Sequence, residues 1–378
     1  MPVLAPIALA AITASLLALP VTPALFELRN RDDATPLPVS RHNGRISNFA
    51  ETFRSQIEPL SAQLAACRLY NELSRVSLEG FDVLLVGSND FDFDPALIRS
   101  VAAIMFAGPA VIPPAVLVNA DIYAEDTLEL REGAVLRAAF ASGNITLDKN
   151  SSVLRWLHSQ AGVLLKPGSA AQGRLSAQRI ALSAGSYFQR VNAPQVLTVD
   201  AQELDANTAE FVNRDSCRLP LHGHHADANK PDGSKDVKQK YRPVSEDATV
   251  SALPRRRVHG DFVLPDGEFL TSNIVASGEI RISQGACLSG SVKGHRDIVI
   301  EEGASVRGSV VSERNVHLGP SCFVAGPIMA EMGVDIGQNS QIGELDSPST
   351  VSSPRIQIAP HCWIHGTIWA REQGSIKG

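Results

Sequence analysis

The sequence predicts an all-β chain wound as a parallel β-helix in two coil blocks, with an N-terminal transmembrane helix and a short helical segment ahead of them. From Phe262 onward, large apolar residues recur every eighteen residues: Phe262, Ile280, Ile298, Val316 and Val334, with Ile356 completing the column after a four-residue insertion. Two residues on sit Leu264, Ile282, Ile300, Leu318, Ile336 and Ile358, and eight residues on sit Leu270, Leu288, Val306, Val324, Ile342 and Ile364. A spacing of two is the strand period, and eighteen residues are too few for two packed helices. A glycine column, Gly290, Gly308, Gly326 and Gly366, marks corners where the chain turns tightly or takes a positive φ. Coils stack at about 4.8 Å each, so 261–370 makes a rod of roughly 29 Å.

From the amino terminus, Pro2 to Phe26 carries no charged side chain and is long enough to cross a bilayer at about 1.5 Å per residue. No Lys or Arg precedes it, as a cleaved signal would require, although Pro6, Pro20 and Pro23 weaken a regular span and leave cleavage open. Arg29, Arg31, Arg41 and Arg45 follow it, which puts the body on the cytoplasmic side. Residues 1–30 are thus the anchor and its flank, and 31–109 a juxtamembrane linker leading into a helical and strand cap. In NFAETFRSQIEPLSAQLAA, Phe49, Phe53 and Ile57 share one helical face as far as Pro59, a helix suited to cover the unpaired edge of a first coil. VSLEGFDVLLVGS then leads in as a strand.

Residues 110–200 repeat the signature irregularly. Ala110, Leu128, Ile145, Val163 and Ile180 start coils, Ile112, Leu130, Leu147, Leu165 and Leu182 follow, and Val118, Leu136, Val153, Ala171 and Phe188 form the third column. The spacing slips between seventeen and eighteen, and Arg155 and Arg190 stand in the glycine column. Residues 201–260 are a polar linker without the apolar content for a core, and 261–378 is the regular domain.

Composition agrees with this outline. Among 378 residues, 44% are hydrophobic but only 5% aromatic, which suits a narrow interior of Ile, Val and Leu. A net charge of −6, with no basic stripe interleaved with aromatics, excludes a dedicated nucleic-acid binder. Cysteines 67, 217, 287, 322 and 362 form no C-x₂-C pair, and Cys322 and Cys362 lie two coils apart, roughly 10 Å, outside disulfide reach. Unpaired thiols suit a reducing compartment.

Chemistry-bearing residues are sparse. GxxxxGK[ST] and GxGxxG are absent, so assembly is expected to need no nucleotide. His222, His224 and His225 have the side chains for a metal but sit in the polar linker, where solvation accounts for them. His259 and His295, two coils apart, could stack ligands, yet the position for a third, near 300, is the core residue Ile300. His317, and His361 and His365 around Cys362, are candidate bases for acyl transfer. Asp90, Asp92 and Asp94 form a DxD pattern with no nucleotide-binding unit around it, and read as a turn. No catalytic residue, metal or cofactor is assigned. Alternation points Phe323, Trp363 and Trp369 away from the core, as a contact surface would.

The series DIVIEEGASVRGSVVSERNVHLGPSCFVAGPIMAEMGVDIGQNSQIG resembles the bactofilins, polymer-forming bacterial cytoskeletal proteins, best over 261–370 and loosely over 110–194. The resemblance implies a right-handed β-helix that assembles end to end without nucleotide at the inner membrane, as a scaffold for envelope-modifying enzymes, and no catalytic residues. Stacking residues would be Phe262 and Leu264 at one end and Ile364, Ile368 and Trp369 at the other. Two blocks with a linker depart from a single rod. The alternatives are a hexapeptide-type acyltransferase of an envelope pathway and a partner-binding scaffold that never polymerises. The six-residue phase of that enzyme class is broken here at Gly294, Ser312 and Ala330.

Overall fold

A computed structural model of the chain describes residues 46–78, 80–87, 91–202, 206–213 and 253–378. The expected anchor 1–30, the linker 32–45, Asp90, Cys217, the histidines 222, 224 and 225, and most of 201–258 lie outside the described residues. The chain divides into Met1–Asn48, of which only 46–48 are described, and Phe49–Gly378. The second unit is a parallel β-solenoid of about 14 turns.

Its second half follows the repeat read from the sequence. Phe262 stacks on Ile280, Ile298 on Val316 and Val306 on Val324, each eighteen residues apart. The insertion is absorbed in a turn where Glu344 and Ser347 exchange backbone hydrogen bonds of 3.1 Å, after which Val334 stacks on Ile356. Of the three aliphatic columns, every residue is buried except Leu270, which lies in the outermost coil. Each buried Ile, Leu or Val contributes about 1.5–3 kcal/mol, so the ladders drive the winding.

The first half is the same solenoid with bulges. Register shifts between Val118 and Asp121 and between Ala171 and Arg174 absorb the slipped spacing. It also begins earlier than the sequence suggests: Phe81–Val86 stacks in parallel on Ala103–Phe106, which in turn stacks on the segment from Asp121 to Ala124. Those strands, placed with the cap on sequence grounds, are coils.

The glycine column works by close approach. A Cβ on Gly308 would lie 2.6 Å from the carbonyl oxygen of Gly290, and one on Gly326 2.6 Å from that of Gly308. Within that column Gly366 takes a positive φ of 121°, and a second, left-handed corner runs through Gly267, Gly285 and Gly303 and then Ser321, Asn339 and His361, with φ from 57° to 67°.

Helices α1 (Asn48–Ile57) and α2 (Ser61–Tyr70) are joined by a 3₁₀ turn, Glu58–Leu60, in which Pro59 occupies an early position that needs no amide donor. Ala50, Phe53, Ile57, Leu60, Leu64 and Cys67 face Val83, Leu85, Met105, Phe140 and Trp156. The pair therefore lies along the flank of several coils and does not cover the end, because these outward positions are themselves apolar. Phe49, expected on the buried face, is 49% exposed beneath the Arg174 guanidinium, 3.9 Å from its ring centroid.

The end is closed by other residues. Leu73–Leu78 pairs antiparallel with Phe81–Val86, and its exposure alternates as suits an edge strand. Asp94 caps α3 (Pro95–Arg99) by accepting the Ala96 amide at 2.9 Å. Phe91, Phe93 and Phe106 cluster edge-on and stacked beside it, with Ile98 and Val101 completing the plug.

The two halves meet tail to tail. The last strand of the first half, Tyr187–Val199, pairs antiparallel with the last strand of the second, Trp363–Ile376. Val191 faces Ile368, Val196 faces Ile364, and Phe188 faces Gly374, where a Cβ would meet the Phe188 ring at 2.1 Å. Backbone bonds continue around the circumference: Thr198 N to Cys362 O at 3.0 Å, His361 N to Thr198 O at 2.7 Å, and Gly185 N to Ile376 O at 3.0 Å. Helix α4 (Ala206–Asn213) lies across the seam, packing Phe211 and Val212 on Leu164, Ala181 and Leu197 of one half and Trp363 of the other. The expectation of an open C-terminal end is thus corrected, since that coil edge is filled by the same chain.

Two outcomes follow for stability. Ile368→Ala, which hollows the junction, is expected to cost about 2–5 kcal/mol in chemical denaturation. His158, packed against Phe140 and hydrogen-bonded at 2.7 Å to Ser176 Oγ, has its pKa lowered by burial, with Glu51 opposing and Arg54 adding to the shift. The unfolded chain binds this proton first, so stability is expected to fall as pH drops below about 6.5, and His158→Gln to flatten that slope in melts across pH 7 to 5.

Candidate functional site

A solenoid half has two ends, and three of the four ends here are closed: one by the antiparallel strand and phenylalanine plug, two by each other. The fourth is the first coil of the second half. Its strands, Arg255–Val258, Phe262–Leu264 and Phe269–Leu270, each pair with one neighbour only among the described residues. Phe262 and Leu264 point into the core there and are buried, while Val263 and Phe269 face outward, 54% and 68% exposed.

Arg256 is the unusual residue of this coil. It is in register with Ile274 and, through it, with Val292, Val310, Ile328 and Val351, so it stands in an interior column that is otherwise aliphatic. Its guanidinium lies 5.6 Å from the Phe262 ring centroid, over the mouth of the core. An inward-column charge on an edge strand makes that edge a poorer template for another chain. The RRR run ahead of the first column was the available sequence signal, and it requires extending the register one coil upstream.

The remaining contact candidates are engaged inside the molecule. Ile364 and Ile368 are buried in the junction. Trp363 meets Phe211 edge-on at 5.6 Å, and Trp369, 41% exposed, lies beneath Arg190 at 4.8 Å. Phe323 is half-buried on the flank beneath Arg307 at 4.9 Å. Of the residues the sequence suggested as a C-terminal contact surface, Trp363, Ile364 and Ile368 lie in the inner seam, while Phe323 and Trp369 remain partly exposed.

Two of the candidate bases and the buried thiols have structural positions, while His317 faces outward and is exposed. His365 Nδ1 is 2.9 Å from Pro194 O across the seam, and His361 occupies a left-handed corner. Cys322 Sγ donates to Glu301 O at 3.0 Å and Cys362 Sγ to Gly337 O at 3.1 Å. Burial pushes the Cys322 thiol up to about 11 and raises Cys362 and Cys67 as well. A thiol held protonated is a poor nucleophile.

One lateral groove, of about 730 Å³, runs along the flank formed by Arg255–Val258, Asn273–Ala276, Val292–Gly294 and Val310–Ser312. Arg255, Arg257, His259, Lys293 and His295 supply its basic groups, and Asn273, Ser277, Ser291 and Ser309 its small polar ones. His259 and His295 thus share one groove, but Ser277 occupies the coil between them, and a separation of roughly 10 Å is too great to share one metal ion. His295 instead meets Glu313 at 2.7 Å.

By fold the chain belongs to the β-solenoid class of proteins. No family model, curated protein or solved structure matches it.

Native-state alkylation with peptide mapping checks the thiol chemistry. Half-buried Cys287 is expected to react, with Cys322 and Cys362 unmodified until the chain unfolds.

Proposed function

We propose that this chain is a scaffold that self-associates without nucleotide through the solenoid end left unpaired among the described residues, using a bare coil as its adhesive element as the bactofilins do. The carrying observation is that three of four coil ends are closed within the chain, whereas the coil from Arg255 to Leu270 has no pairing on its outer side among the described residues. A filament needs two adhesive ends per subunit, so one end supports an isologous pair that stops at the dimer. Exposed Val263 and Phe269 surround buried Phe262 and Leu264 there, and Arg256 keeps the pairing weak.

Right-handed winding, tethering at the bacterial inner membrane through 2–26 with the body in the cytoplasm, and envelope-modifying enzymes as partners complete this reading on the strength of the resemblance alone. Among the described residues no helix is long and apolar enough to cross a membrane. The acyltransferase alternative loses support because the His365 imidazole is engaged with Pro194 O in the seam.

Sedimentation over a concentration series, with and without ATP and GTP, tests the proposal. The expected behaviour is a nucleotide-independent monomer–dimer equilibrium, weakened by Phe269→Asp and tightened about tenfold by Arg256→Ile, equivalent to ~1.4 kcal/mol. Filaments in electron micrographs, or a mass distribution indifferent to both substitutions, would contradict it.

A further inference from the structure

We propose that the lateral groove of the second half binds a linear acidic polysaccharide. The first support is uncommitted charge. Arg281, Arg307, Arg314, Arg355 and Arg371 in the same half each meet a carboxylate, whereas Arg255 and Arg257 make no ion pair or side-chain hydrogen bond among the described residues. In a chain of net charge −6, two guanidinia without a partner among the described residues, lining one groove of about 730 Å³, form a local site for anions. Guanidinium groups hold carboxylates by paired, charge-assisted hydrogen bonds.

The second support is the floor. Ser277 Oγ accepts the Gly260 amide at 2.8 Å and Ser291 Oγ accepts the Ser309 amide at 3.0 Å, which leaves both hydroxyl protons free to donate. Lys293, two coils from Arg257, adds a cation farther along, 4.0 Å from Glu313. Cations therefore recur at every second coil of this column, about 10 Å apart, with the Ser277 and Ser291 hydroxyls beside them, an arrangement suited to a repeating ligand. A carboxylated sugar chain supplies both partners, a carboxylate and several hydroxyls in each unit. Single-stranded nucleic acid would need broad stacking platforms, and no Phe, Tyr or Trp lines the groove among the described residues.

The inference goes beyond the self-association reading and is separable from it, since binding is read as heat and pairing as mass. The test is calorimetric titration of the full chain with polygalacturonate, neutral dextran and oligo-dT. Polygalacturonate is expected to bind and dextran not to. The double substitution Arg255→Gln/Arg257→Gln is expected to weaken binding about tenfold or more at unchanged melting temperature. Lys293→Gln, on an exposed side chain, gives a second reading if the double variant is unstable, and Arg314→Gln, outside the groove, is expected to have no effect. The proposal is overturned if polygalacturonate gives no saturable heat, if dextran or oligo-dT binds as tightly, or if Arg314→Gln weakens binding as much as the groove substitutions.

Discussion

A coil of parallel strands satisfies its backbone only when another coil lies on each side of it, and that demand organises the whole molecule. Winding settles the matter everywhere but at the ends, where a full circumference of amides and carbonyls is left without partners. This chain removes two such ends at once by turning its second half around and setting its last coil against the last coil of the first. Antiparallel pairing between 187–199 and 363–376 then makes one core from two repeats, with Val191 and Ile368 meeting at its centre.

The same seam accounts for residues that would otherwise invite a chemical reading. Thr198 Oγ1 donates to Ala359 O at 2.7 Å and accepts the Cys362 amide at 2.8 Å, while Thr367 Oγ1 donates to Asn192 Oδ1 at 2.9 Å. His365 reaches Pro194, and Trp363 is covered by α4. A polar and aromatic cluster near a chain terminus looks like a site in one dimension. In three it is the fastening between two halves, and the edge left unpaired among the described residues lies at the opposite extremity, beside Arg256.

Much of the fold was legible because a solenoid interior repeats itself. The columns beginning at Phe262, Leu264 and Leu270 gave coil length, register and inward face, since a strand slipped by one residue would expose its whole apolar set. Local chemistry limited the rest. That 81–86 and 103–106 belong to the coil series was hidden because their outward residues Val83, Leu85 and Met105 are apolar too, being covered by α1 and α2, so alternation fails there. The left-handed corner was missed because Ser321, Asn339 and His361 replace glycine in half of its positions. The seam was least legible, because pairing between segments more than a hundred residues apart leaves no periodic trace. Gly374 opposite Phe188 is its clearest mark, and it is recognisable only once the two strands are set side by side.

Residue-resolved amide hydrogen exchange on the folded chain addresses the seam most directly. The Thr198, His361 and Ile376 amides bond across it at 3.0, 2.7 and 3.1 Å, and they are expected to be protected as strongly as the Ile280 amide inside the second half, which bonds to Asp297 O at 3.1 Å. Exchange of those three amides at the rate of solvent-exposed backbone, with Ile280 still protected, would mean that the halves are separate rods with free ends, contrary to this account.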